Sequence, residues 1–112
     1  MKFLLILQGA AQARLRRDEF EEVAHDAGEL VGGALLADPQ LAIQLPGKLP
    51  GKLPGKPPGR PDCEPSQIDG YYVIDVDTRD RAIELARLLP DTRATGRSVE
   101  IRALMQTTVT DL

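Results

Sequence analysis

His25 and Asp26 stand side by side in a chain with a single histidine. An imidazole next to a carboxylate is a familiar way to move a proton near neutral pH. Neighbouring helix positions, however, point about 100° apart and do not face each other. A histidine near a helix C-terminus is more simply explained by its favourable interaction with the helix dipole. Asp38 is the next candidate, as a general base at the mouth of a cavity or as the turn residue that Asp-Pro commonly marks. Gly32-Gly33 could admit a ligand to the backbone or mark a bulge. Tyr71 and Tyr72 alternate across a strand, so one phenol faces the core and the other the opposite side; either could pack or donate to a ligand. Cys63 lies between Asp62 and Glu64, and acids do not favour a reactive thiolate.

Lys48, Lys52, Lys56 and Arg60 recur every four residues in LPGK-LPGK-LPGK-PPGR. They carry +4, so the rest of the chain carries −7 within a net charge of −3. A basic tether for an acidic partner is one use of such a run, and a neutral surface-loop expansion is another. No aromatic residue is interleaved for base stacking, which argues against nucleic acid. One cysteine allows no internal disulfide and no thiolate zinc site, and fits a reducing, cytoplasmic setting. No phosphate loop, dinucleotide fingerprint or metal-ligand spacing is present, so no cofactor is implied.

These residues need a scaffold. At 112 residues with 42% hydrophobic and 28% charged content, the chain fits one domain spanning 1–112. MKFLLILQGAAQA has features of a secretory signal, but its uninterrupted apolar run, Phe3 to Leu7, is short for one and reads as a buried strand. No stretch approaches the apolar length of a membrane helix. The pattern predicts a strand over Lys2–Gln8 and a helix over Ala10–Asp26, with Leu15, Val23 and Ala27 along one side and Phe20 beside them. Gly28 should stop this helix. A second strand covers Leu30–Leu36, and LAIQL at 41–45 reads as a strand remnant. Residues 45–66 form a Pro/Gly/Lys-rich insertion that holds most of the chain's 9 prolines and reads as disordered, partly polyproline-like chain. Tyr71–Asp77 is a third strand. A helix over Arg79–Leu89 is capped by Thr78 or Asp77, turns Ala82, Ile83, Leu85, Ala86 and Leu89 inwards, and is stopped by Pro90. Ser98–Met105 is a fourth strand, with Val99, Ile101, Ala103 and Met105 on one face.

The order βαβ-linker-βαβ predicts an α+β, ferredoxin-like split βαβ domain with an antiparallel sheet. Two helices cover one face. Strands one and three are nevertheless apolar on both faces, whereas a solvated face would alternate with polar residues. A second copy is the simplest cover, giving a homodimer with an obligate interface above about 2,000 Å² in total.

AGELVGGALLADP (27–39), GYYVIDVDTRDRAIELARLLP (70–90), SVEIRALM (98–105) and the opening MKFLLIL together resemble the DGPF branch of the YCII-related family. The resemblance implies a ferredoxin-like subunit that dimerises into an α+β barrel, with a small cavity between sheet and helices. Most such proteins are uncharacterised, and a few relatives are small-molecule enzymes. The branch's Asp-Gly-Pro-Phe motif is absent: this region reads GRPDCEPSQIDGYY, with Asp62 the nearest remnant. The resemblance also implies a helix-one histidine paired with an aspartate after the second strand. Asp38 stands near the aspartate's place, but Arg17 occupies the histidine's, and His25 does not align with it. A guanidinium near Asp38 would make an anion-binding rather than a proton-transferring pair. The expectation is therefore a cytoplasmic homodimeric module that binds a small anion through Arg17, Tyr71 and Tyr72, or a regulatory partner. The alternative is a lyase or isomerase on a small polar substrate with Asp38 as base.

Overall fold

The computed structural model describes residues 1–10, 15–45, 47 and 67–105. Most of the insertion, with Cys63 and the basic residues of its repeat, lies outside the described residues. Four strands and two helices are present: β1 (Lys2–Gly9), α1 (Asp18–Asp26), β2 (Leu30–Leu35), β3 (Ile68–Asp75), α2 (Arg79–Ala86) and β4 (Arg97–Ala103). The strands form one antiparallel sheet in the order β2-β3-β1-β4. An α+β domain of this kind is compatible with a ferredoxin-like fold. Among the described residues no helix is long and apolar enough to cross a membrane.

β1 is central because both its faces are apolar. Phe3, Leu5 and Leu7 are buried against the helices, while Leu4 and Ile6 are only partly covered on the other side. Tyr72, Ile74 and Val76 join the core from β3 and its end. Each large side chain buried there contributes roughly 1.5–3 kcal/mol. Tyr72 packs its ring on Phe20 at a centroid distance of 4.7 Å, and Tyr71 stands on the opposite face, as the alternation predicts.

α1 is shorter than its sequence suggests. It begins at Asp18 rather than Ala10, and its acidic first turn, Asp18, Glu19 and Glu21, suits the positive end of the dipole. The shift moves the buried stripe. Phe20 and Ala24, four apart, face the core, whereas Val23 and Ala27 are exposed and Leu15 precedes the helix. Gly28 ends α1 as expected, at φ 69° with its amide donating to the His25 carbonyl. α2 follows the prediction more closely. The Thr78 hydroxyl caps the Arg81 amide, and Ala82, Leu85 and Ala86 are buried, although Ile83 is only half-buried and the helix proper ends at Ala86.

Three further expectations fail locally. LAIQL forms no strand: Pro39–Leu41 makes a 3-10 turn, and extended chain follows. Pro90 does not merely stop α2 but opens a second 3-10 turn, Pro90–Thr92. β4 starts one residue early, at Arg97, and releases Met105 to solvent at 94% exposure.

Candidate functional site

The glycine pair sits on edge strand β2, and its two members differ. The register slips between Leu30 and Gly32, so the pair follows a bulge centred on Val31. A Cβ on Gly33 would lie 2.6 Å from the Tyr71 carbonyl oxygen and 2.7 Å from the Tyr72 ring. Gly33 is therefore glycine to make room for Tyr72 on the core face. A Cβ on Gly32 would meet nothing within 4 Å. That space is the floor of a groove of about 280 Å³ on the open face of the sheet, lined by Lys2, Val31, Tyr71, Val73 and Leu104 besides the two glycines.

The candidate Arg17–Asp38 pair does not form. Arg17 directs Nε and Nη2 at Oδ1 and Oδ2 of Asp91, both at 2.9 Å. Asp91 is fully buried in the Pro90–Thr92 turn and also accepts from Arg97 Nη2 at 2.7 Å. Arg97 turns back to Asp69 through Nη2 and Nη1, each at 2.8 Å, and Nη1 donates to the carbonyls of Gly9 and Ala10. Its Nε has no hydrogen-bond partner among the described residues. Two guanidiniums and two carboxylates thus close a neutral clasp between the start of α1, the turn after α2 and the first residues of β3 and β4.

The clasp is electrostatically locked. Burial alone would push the Asp91 carboxyl up, but hydrogen bonds from Arg17 and Arg97 outweigh it and hold it below its ordinary value. The Asp69 carboxylate in turn pushes the Arg97 guanidinium upward. Tyr72 borders the clasp and donates to Glu21 Oε1 at 2.5 Å; burial, then this bond, raise its phenol above the usual tyrosine range. Asp91 is held ionised, and Arg17 and Arg97 are held charged, through neutral pH. The clasp fixes elements and cannot act as an acid–base pair. A second clamp, Arg81 on both oxygens of Glu29 at 2.7–3.1 Å, ties α2 to the start of β2.

Asp38 stands after β2, on the sheet edge opposite the clasp's β4. Its Oδ1 accepts from the Gln40 amide at 2.9 Å and caps the 3-10 turn, which is the turn reading of Asp-Pro. It borders a shallow hollow with Leu36, Pro39, Leu41 and Ile68, in which Arg17 takes no part. His25 Nδ1 lies 3.7 Å from Asp26 Oδ1, closer than adjacent helix positions suggest, but both side chains are over 80% exposed. Among the described residues no cluster of histidine, cysteine or acids could hold a metal ion.

Sequence reasoning missed Asp91 and Arg97. They lie 74 to 88 residues from their partners in the first third of the chain, and no local pattern marks such a contact. No family model matches this chain, and no curated protein matches it.

Proposed function

We propose that the chain is a non-enzymatic, self-associating binding module, in which two copies stack the open faces of their sheets and enclose the groove over Gly32. The observation that carries this reading is the apolar centre of that face. Leu4 and Ile6 of β1 lie directly across from Val73 and Tyr71 of β3, with no helix over them among the described residues. Glu100 and Arg102 sit beyond them on β4 as an opposite-charge pair at 3.7 Å. Polar residues at the rim and apolar ones at the centre are the usual anatomy of an interface.

The resemblance to the YCII-related family points the same way, towards a split βαβ subunit that closes into a dimeric α+β barrel in the cytoplasm. Size modifies the expectation. Four strands about 4.8 Å apart and about 27 Å long offer a flat footprint of roughly 500 Å². Two stacked faces with side-chain relief fall in the standard range of roughly 1,200–2,000 Å², below an obligate interface. The dimer of this proposal is therefore reversible. The enzyme alternative loses support because Asp38 caps a turn, and an anion site at Arg17 loses it because that guanidinium is committed to Asp91.

Sedimentation velocity of the full chain at micromolar concentration tests the proposal. The expected result is a dimer that Val73→Arg converts to a folded monomer with an unchanged far-UV circular dichroism spectrum. A wild-type chain that sediments as a monomer throughout sinks the reading.

A further inference from the structure

We propose that the groove over Gly32 binds a small amphipathic organic carboxylate, with the carboxylate at Lys2 and the apolar body lying over the bare backbone of Gly32. The inference rests on the open-face reading above and names the ligand class for that face. Two independent features converge on it.

The first is charge. Lys2 stands at one end of the groove and makes no ion pair among the described residues. The acid opposite it in register, Asp75, is engaged by the Met1 ammonium at 3.2 Å. Two cations against one anion leave that end net positive. The nearby charged pair on β4, Glu100 with Arg102, is self-compensating. Arg17, by contrast, is neutralised inside the clasp, and among the residues lining this groove the cation is Lys2.

The second is shape. The remaining lining, Val31, Val73, Leu104 and the Tyr71 ring, is apolar, and the space above Gly32 is empty for at least 4 Å around an added Cβ. A volume of about 280 Å³ lies just below the range of drug-sized pockets. A ligand of about a dozen heavy atoms fits, with one charged end and one flat or branched apolar end. A dianion or a phosphate would leave charge against Val31 and Val73 with nothing to pair it.

The same two features supply the variants. Gly32 does not have a positive φ, so Gly32→Val adds a strand-favouring side chain that fills the groove without backbone strain. Lys2→Gln removes the charge and keeps a polar side chain. The probe is 3-phenylpropanoate, with its uncharged primary amide as control, titrated into the full-length protein while the amide resonances of Gly32, Tyr71 and Val73 are followed by NMR. About a third of a kcal/mol per heavy atom corresponds to a Kd near 1 mM. An exposed ion pair makes the amide about fivefold weaker. Lys2→Gln should bind acid and amide equally, and Gly32→Val should bind neither while keeping a dispersed spectrum. Equal binding of acid and amide by the wild type overturns the proposal. So does a titration that survives Gly32→Val, or the absence of any shift at these resonances at about ten times that Kd. Light scattering on the same samples separates the two readings. Binding to a chain of monomer mass removes self-association and leaves the ligand site standing, whereas a dimer that gives no titration removes the site alone.

Discussion

Replacing Asp91 should be the most damaging single polar substitution in this protein. Asp91 is 0% exposed and accepts three charge-assisted hydrogen bonds, two from Arg17 and one from Arg97. Asp91→Ala would leave two guanidiniums facing an empty turn. Removing one partner of a buried ion pair generally costs about 3–5 kcal/mol. Two details favour the lower end. Arg97 keeps both bonds to Asp69, and the Arg17 side chain, 12% exposed, can recover some hydration. A loss of about 3 kcal/mol corresponds to a fall of about 2 M in urea midpoint, at a slope of about 1.5 kcal/mol/M. In a thermal scan it corresponds to a Tm drop of roughly 12–24 °C. The pH dependence gives a second readout. The folded state holds the Asp91 carboxyl below its ordinary value, so its contribution is complete above the unfolded pKa of about 3.9 and is lost as pH falls towards the folded one. The stability gap between wild type and Asp91→Asn should therefore stay constant from about pH 5 to 8 and shrink below about pH 4. Asp38→Asn, on an exposed cap, is the control and should cost no more than about 1 kcal/mol. A loss under about 1 kcal/mol for Asp91→Ala at pH 7, or a gap that does not narrow in acid, would refute the assignment of the clasp.

The two neighbouring glycines should separate cleanly by urea unfolding. Gly33→Ala should cost about 1–3 kcal/mol, because its Cβ meets backbone and the Tyr72 ring, whereas Gly32→Ala should be neutral or stabilise by up to about 1 kcal/mol. Tyr72→Phe removes the bond to Glu21 and should cost about 1 kcal/mol. The raised phenol also means that folding stability declines as pH rises above about 10, through and beyond the ordinary tyrosine range. Ultraviolet titration should show one of the two tyrosines ionising only with unfolding, and in Tyr72→Phe that late step should be gone.

Period-two alternation in β1 and β3 was readable because it is a local property: Phe3, Leu5 and Leu7 face the core for the same reason that Leu4 and Ile6 do not. The caps were readable for the same reason, since Thr78 and Gly28 act within three residues of themselves. The stripe on α1 was misjudged because it depends on where the helix starts. With the first turn at Asp18 the inward pair is Phe20 and Ala24, and the Leu15, Val23 and Ala27 stripe belongs to a longer helix that does not form. The site was less legible than the fold. Arg17 carried a signal as a charged residue at a suggestive position, but its partner lies 74 residues away. Gly32-Gly33 looked like one feature and is two, since only the three-dimensional neighbour of each Cβ distinguishes a packing glycine from a groove-forming one.

The division of charge across the molecule bears on what kind of protein this is. A catalytic pair needs two titratable groups whose environments push their pKa values apart and leave one poised near neutrality. Here the buried groups are pushed the other way. Asp91 is held ionised, Tyr72 is held neutral and Arg97 is held charged, each further from a change of state than it would be in water. These three groups on the helix-covered side of the sheet thus each keep one protonation state over the physiological range. On the opposite side Lys2 stands beside an apolar groove and makes no ion pair among the described residues. A surface of that kind recognises a ligand through fixed charge and shape rather than through proton transfer. Its affinity should accordingly be flat between about pH 6 and 9, because recognition by fixed charge and shape moves no proton on binding. A bell-shaped binding profile in the 3-phenylpropanoate titration, with a midpoint near 7, would show that a histidine or a shifted acid takes part, and would reopen the assignment of Lys2 as the recognising group.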